Sequence, residues 1–311
     1  MTTFALLGAL QIGLIYGLVA TGTLLSFRML NFPDLTPDGS FPLGAAVGAV
    51  MIIGGGDPVL ALCAGTAAGA LAGLLTALLS ERLGVLNILA GILTMTALYS
   101  INIRIMGQPN VALLGQETTI HWLRETFSLS GQMAKTVFSL VVVALMVGLM
   151  ARIIVSRYGL SLRATGINPR MSAANGIGPS SRIYVGLAIA NGLCGLAGAM
   201  FAQVYSFADV TMGVGTIIVG LAAVFIGEAL IRTANPVFAI LACVLGAVVY
   251  RLALALALES DAIGLTTSDL NLLTATIVTL AFVIPRISKS AWPFRRAGLA
   301  QKSRTQKEAA R

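Results

Sequence analysis

Long, uninterrupted apolar runs dominate this sequence, and they restrict what the chain can fold into more than any other feature. Each run is about 17–25 residues long, which is the length that an α-helix needs to cross the hydrocarbon core of a bilayer. The runs lie at about 4–27, 38–56, 58–80, 84–106, 134–156, 182–205, 213–231, 234–258 and 269–286. We therefore predict an all-α polytopic membrane protein with about nine transmembrane helices, within a range of eight to ten. Continuous runs also argue against a transmembrane β-barrel, whose strands alternate between polar and apolar residues.

The composition supports the same class of protein. The chain is 57% hydrophobic and only 10% charged, whereas soluble proteins carry roughly 25% charged residues. Its three cysteines lie in separate apolar runs and it has one histidine, so we expect no metal site. We also expect no bound cofactor and no catalytic activity, because no paired catalytic groups stand out. Glycines recur at every fourth position in Gly65, Gly69 and Gly73, a spacing that lets helices approach closely in lipid.

The distribution of Lys and Arg predicts the orientation of the bundle, because such residues favour the cytoplasmic side. The tail at 291–311 is basic, so we place it in the cytoplasm, where it can lie against anionic lipid. With nine spans, the N-terminus is then outside and a transmembrane domain covers 1–290. Few of the 20 basic residues fall on the outer side: Arg104, Arg124, Lys135 and Arg251. This orientation accounts for the net charge of +8, and we expect no nucleic-acid partner.

A polar, helix-breaking stretch, DLTPDGSFPLGAA at 34–46, separates the first two apolar runs. Its prolines disfavour helix at the residues before them, and Asp-Gly-Ser suits a turn and a helix N-cap. The stretch is either a capped loop at the membrane surface or a broken helix along a translocation path. The short run 38–56 is accordingly either a full span or a re-entrant segment. The candidate pore or gate residues are Asp34, Asp38, Ser40, Asn191 and Asp209.

A weak internal similarity links two parts of the chain. The stretch SFRMLNFPDLTPDGSF at 26–41 resembles SFADVTMGVGT at 206–216, and each joins two apolar runs. The predicted orientation places them on opposite sides of the membrane. Such a pair is typical of an inverted-topology repeat, which many transporters contain. A match this short also arises by chance, so both explanations are open.

Two connections between the predicted spans are long. The outer loop, 107–133, has room for a short interfacial helix. The inner loop, 157–181, reads RYGLSLRATGINPRMSAANGIGPSS and has an amphipathic helical pattern that breaks at Asn168–Pro169. A passive bundle has no need of such a segment. We therefore predict that the inner loop is a docking surface for a cytoplasmic partner.

The inner loop and the span that follows it also carry a family resemblance. LRATGINPRMSAANGI, followed by RIYVGLAIANGLCGLAGAMFA, resembles the coupling-loop region in permease subunits of bacterial ABC importers, within the branched-chain amino acid and ribose permease superfamily. The N-terminal GLIYGLVATGTLLSFRMLNFPDLTPDGSFPLGAAV resembles the same superfamily. Its DLTPDGSF motif is closest to amino-acid importers of the tryptophan and tyrosine type. The resemblance covers nearly the whole chain.

The resemblance implies the membrane subunit of an ATP-driven importer in the bacterial inner membrane, moving an amino acid or a similar small solute. Its partners would be a cytoplasmic ABC ATPase dimer, a second or sister permease, and a periplasmic or lipid-anchored binding protein. ATP and Mg²⁺ would bind to the ATPase, since this chain lacks the phosphate-loop motif. The residues that would couple to the ATPase are Arg163, Ala164, Gly166, Asn168, Ala173, Asn175, Gly176 and Ile177.

An ion-coupled secondary transporter of a small polar solute is the alternative function. It would require a buried acid or polar cluster near the membrane midplane, whereas the acids of this chain fall in loops and at the ends of the predicted spans. Glu228 is expected to pair with Arg232, four residues further on. Arg251 either snorkels to the surface, pairs with Glu259 or faces a pore.

Overall fold

A computed structural model describes residues 3–128, 130–231, 233, 235–259, 274–276 and 279. Nearly all regular structure in this part of the chain is helical, which confirms the prediction of an all-α polytopic protein. The helices are α1 (Thr3–Thr23) with a π-helical continuation (Leu24–Met29), α2 (Pro37–Ile53), α3 (Pro58–Glu81), α4 (Asn87–Met106), α5 (Thr119–Phe127), α6 (Gly131–Val155), α7 (Arg157–Ile167), α8 (Pro169–Ala174), α9 (Pro179–Tyr205), α10 (Thr216–Leu230) and α11 (Pro236–Glu259). Most of the predicted ninth span, 269–286, and all of the tail at 291–311 lie outside the described residues.

Six of the described helices are long and apolar enough to cross a membrane: α1 with its continuation, α3, α4, α6, α9 and α11. By contrast, α2 has 17 residues and α10 has 15. At 1.5 Å per residue these two helices are about 26 Å and about 22 Å long, which is less than the roughly 30 Å of a bilayer core. The runs predicted at 38–56 and 213–231 are therefore short helices, and irregular backbone leads into each of them.

Helix α9 lies at the centre of the bundle, and most of its length beyond Gly186 is buried. Small residues bring its backbone close to its neighbours. A Cβ atom on Gly69 of α3 would overlap the backbone oxygen of Asn191, and one on Gly195 would overlap the oxygen of Gly65. The glycine spacing thus serves close helix packing, as predicted.

The connections gather at two opposite ends of the bundle, because α9 runs from one end to the other. At the sheet end, β1 (Asn110–Ala112) pairs antiparallel with β2 (Phe207–Asp209), with Val111 opposite Ala208. The short helix expected within 107–133 is α5, which is at this end. At the α7–α8 end, the chain forms those two short helices between α6 and α9.

Candidate functional site

The polar stretch after α1 folds back into the interior of the bundle. Asp34 is 0% exposed, and one of its carboxylate oxygens accepts a hydrogen bond from the Thr36 backbone N–H at 2.9 Å. The other oxygen accepts from Asn191 Nδ2 at 2.7 Å, and Ser40 Oγ donates to Asn191 Oδ1 at 2.8 Å. Three of the predicted site residues, Asp34, Ser40 and Asn191, therefore meet in one buried polar cluster.

The position of this cluster decides between the two alternatives for 34–46. Asn191 lies close to the middle of α9, so the cluster is deep inside the bundle and the surface-loop interpretation of 34–46 is wrong. Asp34 does fall in a connection between two helices, as expected, but this connection is buried. The sequence left both alternatives for 34–46 open, because depth depends on how the chain re-enters the bundle, which local residue patterns do not report.

Asp38, in the first turn of α2, joins that helix to α10. Its carboxylate accepts from the backbone N–H groups of Gly215, at 3.2 Å, and Ile217, at 2.8 Å. These amides open α10 and have no partner within their own helix, and a carboxylate also suits the positive end of the helix dipole. The N-termini of α2 and α10 therefore meet inside the bundle.

Asp209 is not part of this cluster, because it lies in β2 at the sheet end. Its carboxylate accepts from Thr211 N at 2.7 Å and from Asn110 Nδ2 at 3.0 Å. Partial burial alone would raise the pKa of Asp209, but these hydrogen bonds to the charged form outweigh it and the pKa lies below its ordinary value. The geometry makes Asp209 an organiser of the turn before α10.

The two similar stretches of sequence approach this meeting point from opposite ends of the bundle. Phe207 begins the strand at the sheet end, whereas Arg28 lies beside the C-terminal end of α10. Arg28 makes a bidentate pair with Glu228, with both N–O distances 2.7 Å. The structure thus gives Glu228 the partner Arg28, which the sequence did not indicate. The predicted partner, Arg232, lies outside the described residues.

A cavity of about 680 Å³ lies beside Asp38, between α1, α2, α4, α10 and α11. A smaller cavity of about 200 Å³ adjoins it and shares Asp38, Met95 and Val214 with it. Volumes of roughly 300–1,000 Å³ are typical of pockets for small ligands. Within the described residues, no group of three or more His, Cys, Asp or Glu could hold a metal ion. The larger cavity thus has the volume for a small molecule, and Asp38 and Arg251 are charged residues in its wall.

Arg251 lies in the wall of the larger cavity. Its guanidinium carbon is 4.3 Å from the centre of the Tyr16 ring and 5.8 Å from that of Tyr250. Arg251 thus faces a space within the bundle, whereas the side chain of Glu259, one of its expected partners, lies outside the described residues. Sequence reasoning did not single out the two tyrosines, because an aromatic residue within an apolar run gives no signal of its own.

The predicted coupling residues divide between the surface and the interior of the α7–α8 end. Asn168 Oδ1 accepts from Met171 N at 3.0 Å and so caps α8. Ile167, the last residue of α7, is 84% exposed. The surface set is Asn168, Ala173, Asn175 and Gly176, and the half-buried set is Arg163, Ala164, Gly166 and Ile177.

Gly166 connects α7 to the end of the first span. A Cβ atom there would overlap the backbone oxygen of Met29 and approach Leu30. Leu30 also packs against Gly186 of α9. The π-helical segment thus lies between the exposed α7–α8 end and the buried polar cluster, which begins only five residues after Met29.

Comparisons with known proteins place the chain among membrane transport components. A family model described as "Branched-chain amino acid transport system / permease component" matches residues 5–284. A "Tyrosine transport system permease protein" of Clostridioides difficile (strain R20291) is 34% identical over 270 residues, which are 87% of each chain. The "Uncharacterized protein RP368" of Rickettsia prowazekii (strain Madrid E) is 32% identical over 282 residues, covering 89% of this chain and 96% of its own. No solved structure gives a significant match.

Proposed function

This chain belongs to the family of branched-chain amino acid permeases, which are membrane subunits of ABC transporters, and from that premise we propose that it imports an amino acid or a similar small solute in an ATP-driven complex. It is a multi-pass membrane protein, and we assign it to the bacterial inner membrane. The relative described as a tyrosine transport permease favours an amino acid over other solutes. A periplasmic or lipid-anchored binding protein would deliver the solute to the sheet end.

The exposed α7–α8 end is the observation that carries this proposal. Ile167 and Met171 place apolar side chains at the surface next to the exposed Arg170. Exposed apolar patches with a polar border are typical of protein interfaces. This end would contact a cytoplasmic ABC ATPase dimer, on which ATP and Mg²⁺ bind, while a second copy of this chain or a sister permease completes the membrane core.

A path of direct contacts suggests how movement at that interface would reach the solute. Displacement of α7 would press Gly166 against Met29 and move the π-helical segment. The segment continues into the buried polar cluster at Asp34 and then into Asp38, which lines the cavity. We propose alternating access in which this path opens the cavity first toward the sheet end and then toward the α7–α8 end.

The arrangement of α2 and α10 supports the proposed orientation and repeat. Both helices are short, both begin after irregular backbone, and their N-termini meet at Asp38. Paired half-helices of this kind are a feature of inverted-repeat transporters. We therefore propose that the two similar stretches are repeat-related, that the sheet end and the N-terminus are outside, and that the C-terminus is cytoplasmic.

The buried Asp34 is the observation that favours the second candidate, an ion-coupled secondary transporter. A carboxyl group at this depth is a common feature of proton and sodium coupling sites. Its hydrogen bonds to Thr36 and Asn191 give it a structural role as well. The two functions differ in their energy source: uptake by an ABC importer stops when ATP hydrolysis on the ATPase is blocked, whereas uptake by a secondary carrier stops when the ion gradient is dissipated.

Co-purification with the ATPase encoded nearest to this chain tests the proposal. We expect the wild-type chain to form a stable complex and to stimulate ATP hydrolysis. Ile167→Asp should weaken binding at least about tenfold, because a charge at the centre of an apolar contact costs more than about 1.4 kcal/mol.

The matched control is Leu114→Asp, which places the same charge at the sheet end on a leucine that is 83% exposed, against 84% for Ile167. It should leave ATPase binding unchanged. A wild-type chain that binds no ATPase, or two variants that weaken binding equally, would count against the proposed function.

A further inference from the structure

Arg251 lies inside a membrane-spanning helix, and the described residues satisfy only part of its hydrogen-bonding capacity. Its Nε is buried and has no hydrogen-bond partner among the described residues. Among the side chains that the structure describes, which do not include that of Glu259, no carboxylate forms an ion pair with it. A charged side chain at membrane depth is costly and usually marks a site with a specific partner. Within the described residues, the Nε of Arg251 is therefore a donor that lacks an acceptor.

The aromatic rings around Arg251 stabilise its charge without using its N–H groups. The Tyr16 ring, 4.3 Å away, provides a cation–π contact. The hydroxyl of Tyr250 donates to Thr274 Oγ1 at 2.8 Å. Guanidinium groups bind carboxylates through two parallel N–H···O bonds, and stacking on an aromatic face leaves this planar fork available.

One acceptor without a donor among the described residues lies on the other side of the shared wall. Asn102 is 0% exposed, its Nδ2 donates to the Gly39 oxygen at 3.4 Å, and its Oδ1 has no partner among the described residues. Asn102 lines the smaller cavity, and Asp38 lines both cavities. The two adjoining cavities thus have a guanidinium in one wall. In another wall they have a carboxylate that accepts from two backbone amides and an amide oxygen with no partner among the described residues.

We propose that this space is a resident binding site for a zwitterionic amino acid, whose α-carboxylate binds Arg251 and whose ammonium group faces Asp38 and Asn102. This inference rests on the proposed function as an amino-acid permease and adds that the permease itself, and not only its binding protein, selects the solute. The Tyr16 ring and apolar residues such as Met95 would contact the side chain of the amino acid. An uncharged sugar would accept ordinary hydrogen bonds from the guanidinium but could not form the charge-assisted bidentate pair.

Saturation-transfer difference NMR on the full chain in lipid nanodiscs tests this site. L-Tyrosine and tyramine are the matched probes, because tyramine lacks only the carboxylate. We expect L-tyrosine to give a saturation signal with the wild type and tyramine to give at most about a tenth of it. Arg251→Gln should abolish the L-tyrosine signal, and Arg251→Lys, which keeps the charge but not the fork, should retain a weakened one.

Arg104→Gln is the control, because Arg104 is an exposed arginine of α4 that lines neither cavity. It should leave the L-tyrosine signal unchanged. Equal signals from tyramine and L-tyrosine, or an undiminished L-tyrosine signal with a folded Arg251→Gln, would overturn the proposal. If Arg251→Gln unfolds, two measurements still test the proposal. One compares L-tyrosine with tyramine on the wild type, and the other measures the L-tyrosine signal of Arg251→Lys.

Binding of the partner ATPase distinguishes a failure of the resident site from a failure of the proposed function on which it rests. Arg251 lies far along α11 from the α7–α8 end, so Arg251→Gln should still co-purify with the ATPase. A wild-type chain that binds the ATPase but gives no L-tyrosine signal would refute the resident site alone. A chain that binds no ATPase would refute the proposed function whatever the NMR result.

Discussion

The chain interrupts its apolar helices with polar residues in two places, and the structure treats them in opposite ways. Between α1 and α2, Asp34 is fully buried and both of its carboxylate oxygens are hydrogen-bonded within the chain. Between α6 and α9, Asn168, Arg170 and Asn175 are exposed at the surface of the α7–α8 end, and the apolar Ile167 is 84% exposed. The first interruption is satisfied internally, whereas the second presents surface to something else.

The difference separates two uses of polarity in a membrane protein. A buried polar group must have its partners within the protein, because the alternative in lipid is an unsatisfied group that costs several kcal/mol. A segment at the end of the bundle can form hydrogen bonds with water, so its polar residues need no partners within the chain. Such a segment can instead carry residues that contact another protein. Variants of the buried interruption should therefore change stability, and variants of the α7–α8 end should change complex formation.

The packing around the buried interruption should be the most sensitive to change. A Cβ atom on Gly44 of α2 would overlap several backbone atoms of Gly195 in α9. Because backbone cannot move aside cheaply, Gly44→Ala should lower the free energy of unfolding by about 3 kcal/mol or more. Thermal unfolding in detergent measures the loss. Gly148→Ala, in α6, meets no atom within 4 Å and should be neutral or slightly stabilising.

Removing the amide at the centre of the polar cluster should have the next largest effect. Asn191→Ala leaves Asp34 without its Asn191 donor and Ser40 without its acceptor. We expect a loss of about 2–3 kcal/mol, the penalty for buried polar groups left unpaired. The comparison variant is Asn168→Ala, which removes the cap of the exposed α8. If both variants destabilised the whole bundle equally, the contrast between the two interruptions would fail.

Much of the architecture could be predicted from the sequence because the bilayer fixes the length of an apolar run. The run at 58–80 is helix Pro58–Glu81, and the run at 134–156 is helix Gly131–Val155. The break at Asn168–Pro169 was also readable, since asparagine followed by proline is both a cap and a helix start. These features depend on neighbours in sequence or on solvent.

The candidate site could be predicted only in part, because its contacts join distant segments. Asp38 binds amides 177 and 179 residues away, and the Arg28–Glu228 pair spans 200 residues. No local pattern determines which of several acids re-enters the bundle. Polar residues within apolar runs could be identified as candidates, but their grouping depended on the close packing of α2, α3 and α9.

Gly166→Ala tests the contact that connects the two interruptions. The added Cβ atom would overlap the Met29 oxygen, so α7 and the π-helical segment must separate. We expect a loss of stability of about 1–2 kcal/mol, since the helical preference of Ala offsets part of the overlap. Transport in proteoliposomes should fall more than ATPase binding does, because the docking surface itself is intact.

The control for Gly166→Ala is Gly178→Ala, where the nearest atom to an added Cβ is 3.9 Å away. It should leave transport unchanged. Loss of ATPase binding and transport in equal measure would show that Gly166 belongs to the docking surface, and the proposed path from Met29 to the cluster would lose its support.

The Arg28–Glu228 pair should contribute least, although its geometry is bidentate. Their side chains are 56% and 35% exposed, so water and salt screen the attraction. Glu228→Gln should therefore lower the unfolding free energy by only about 0.5 kcal/mol, and the difference from wild type should shrink as salt is raised from 50 mM to about 500 mM. Glu81→Gln, at the C-terminal end of α3, is a control that removes an acid at the end of another helix. A large, salt-independent loss from Glu228→Gln would mean that this pair is buried in the functioning complex, and that the surface docking the ATPase extends from α7 and α8 to the end of α10.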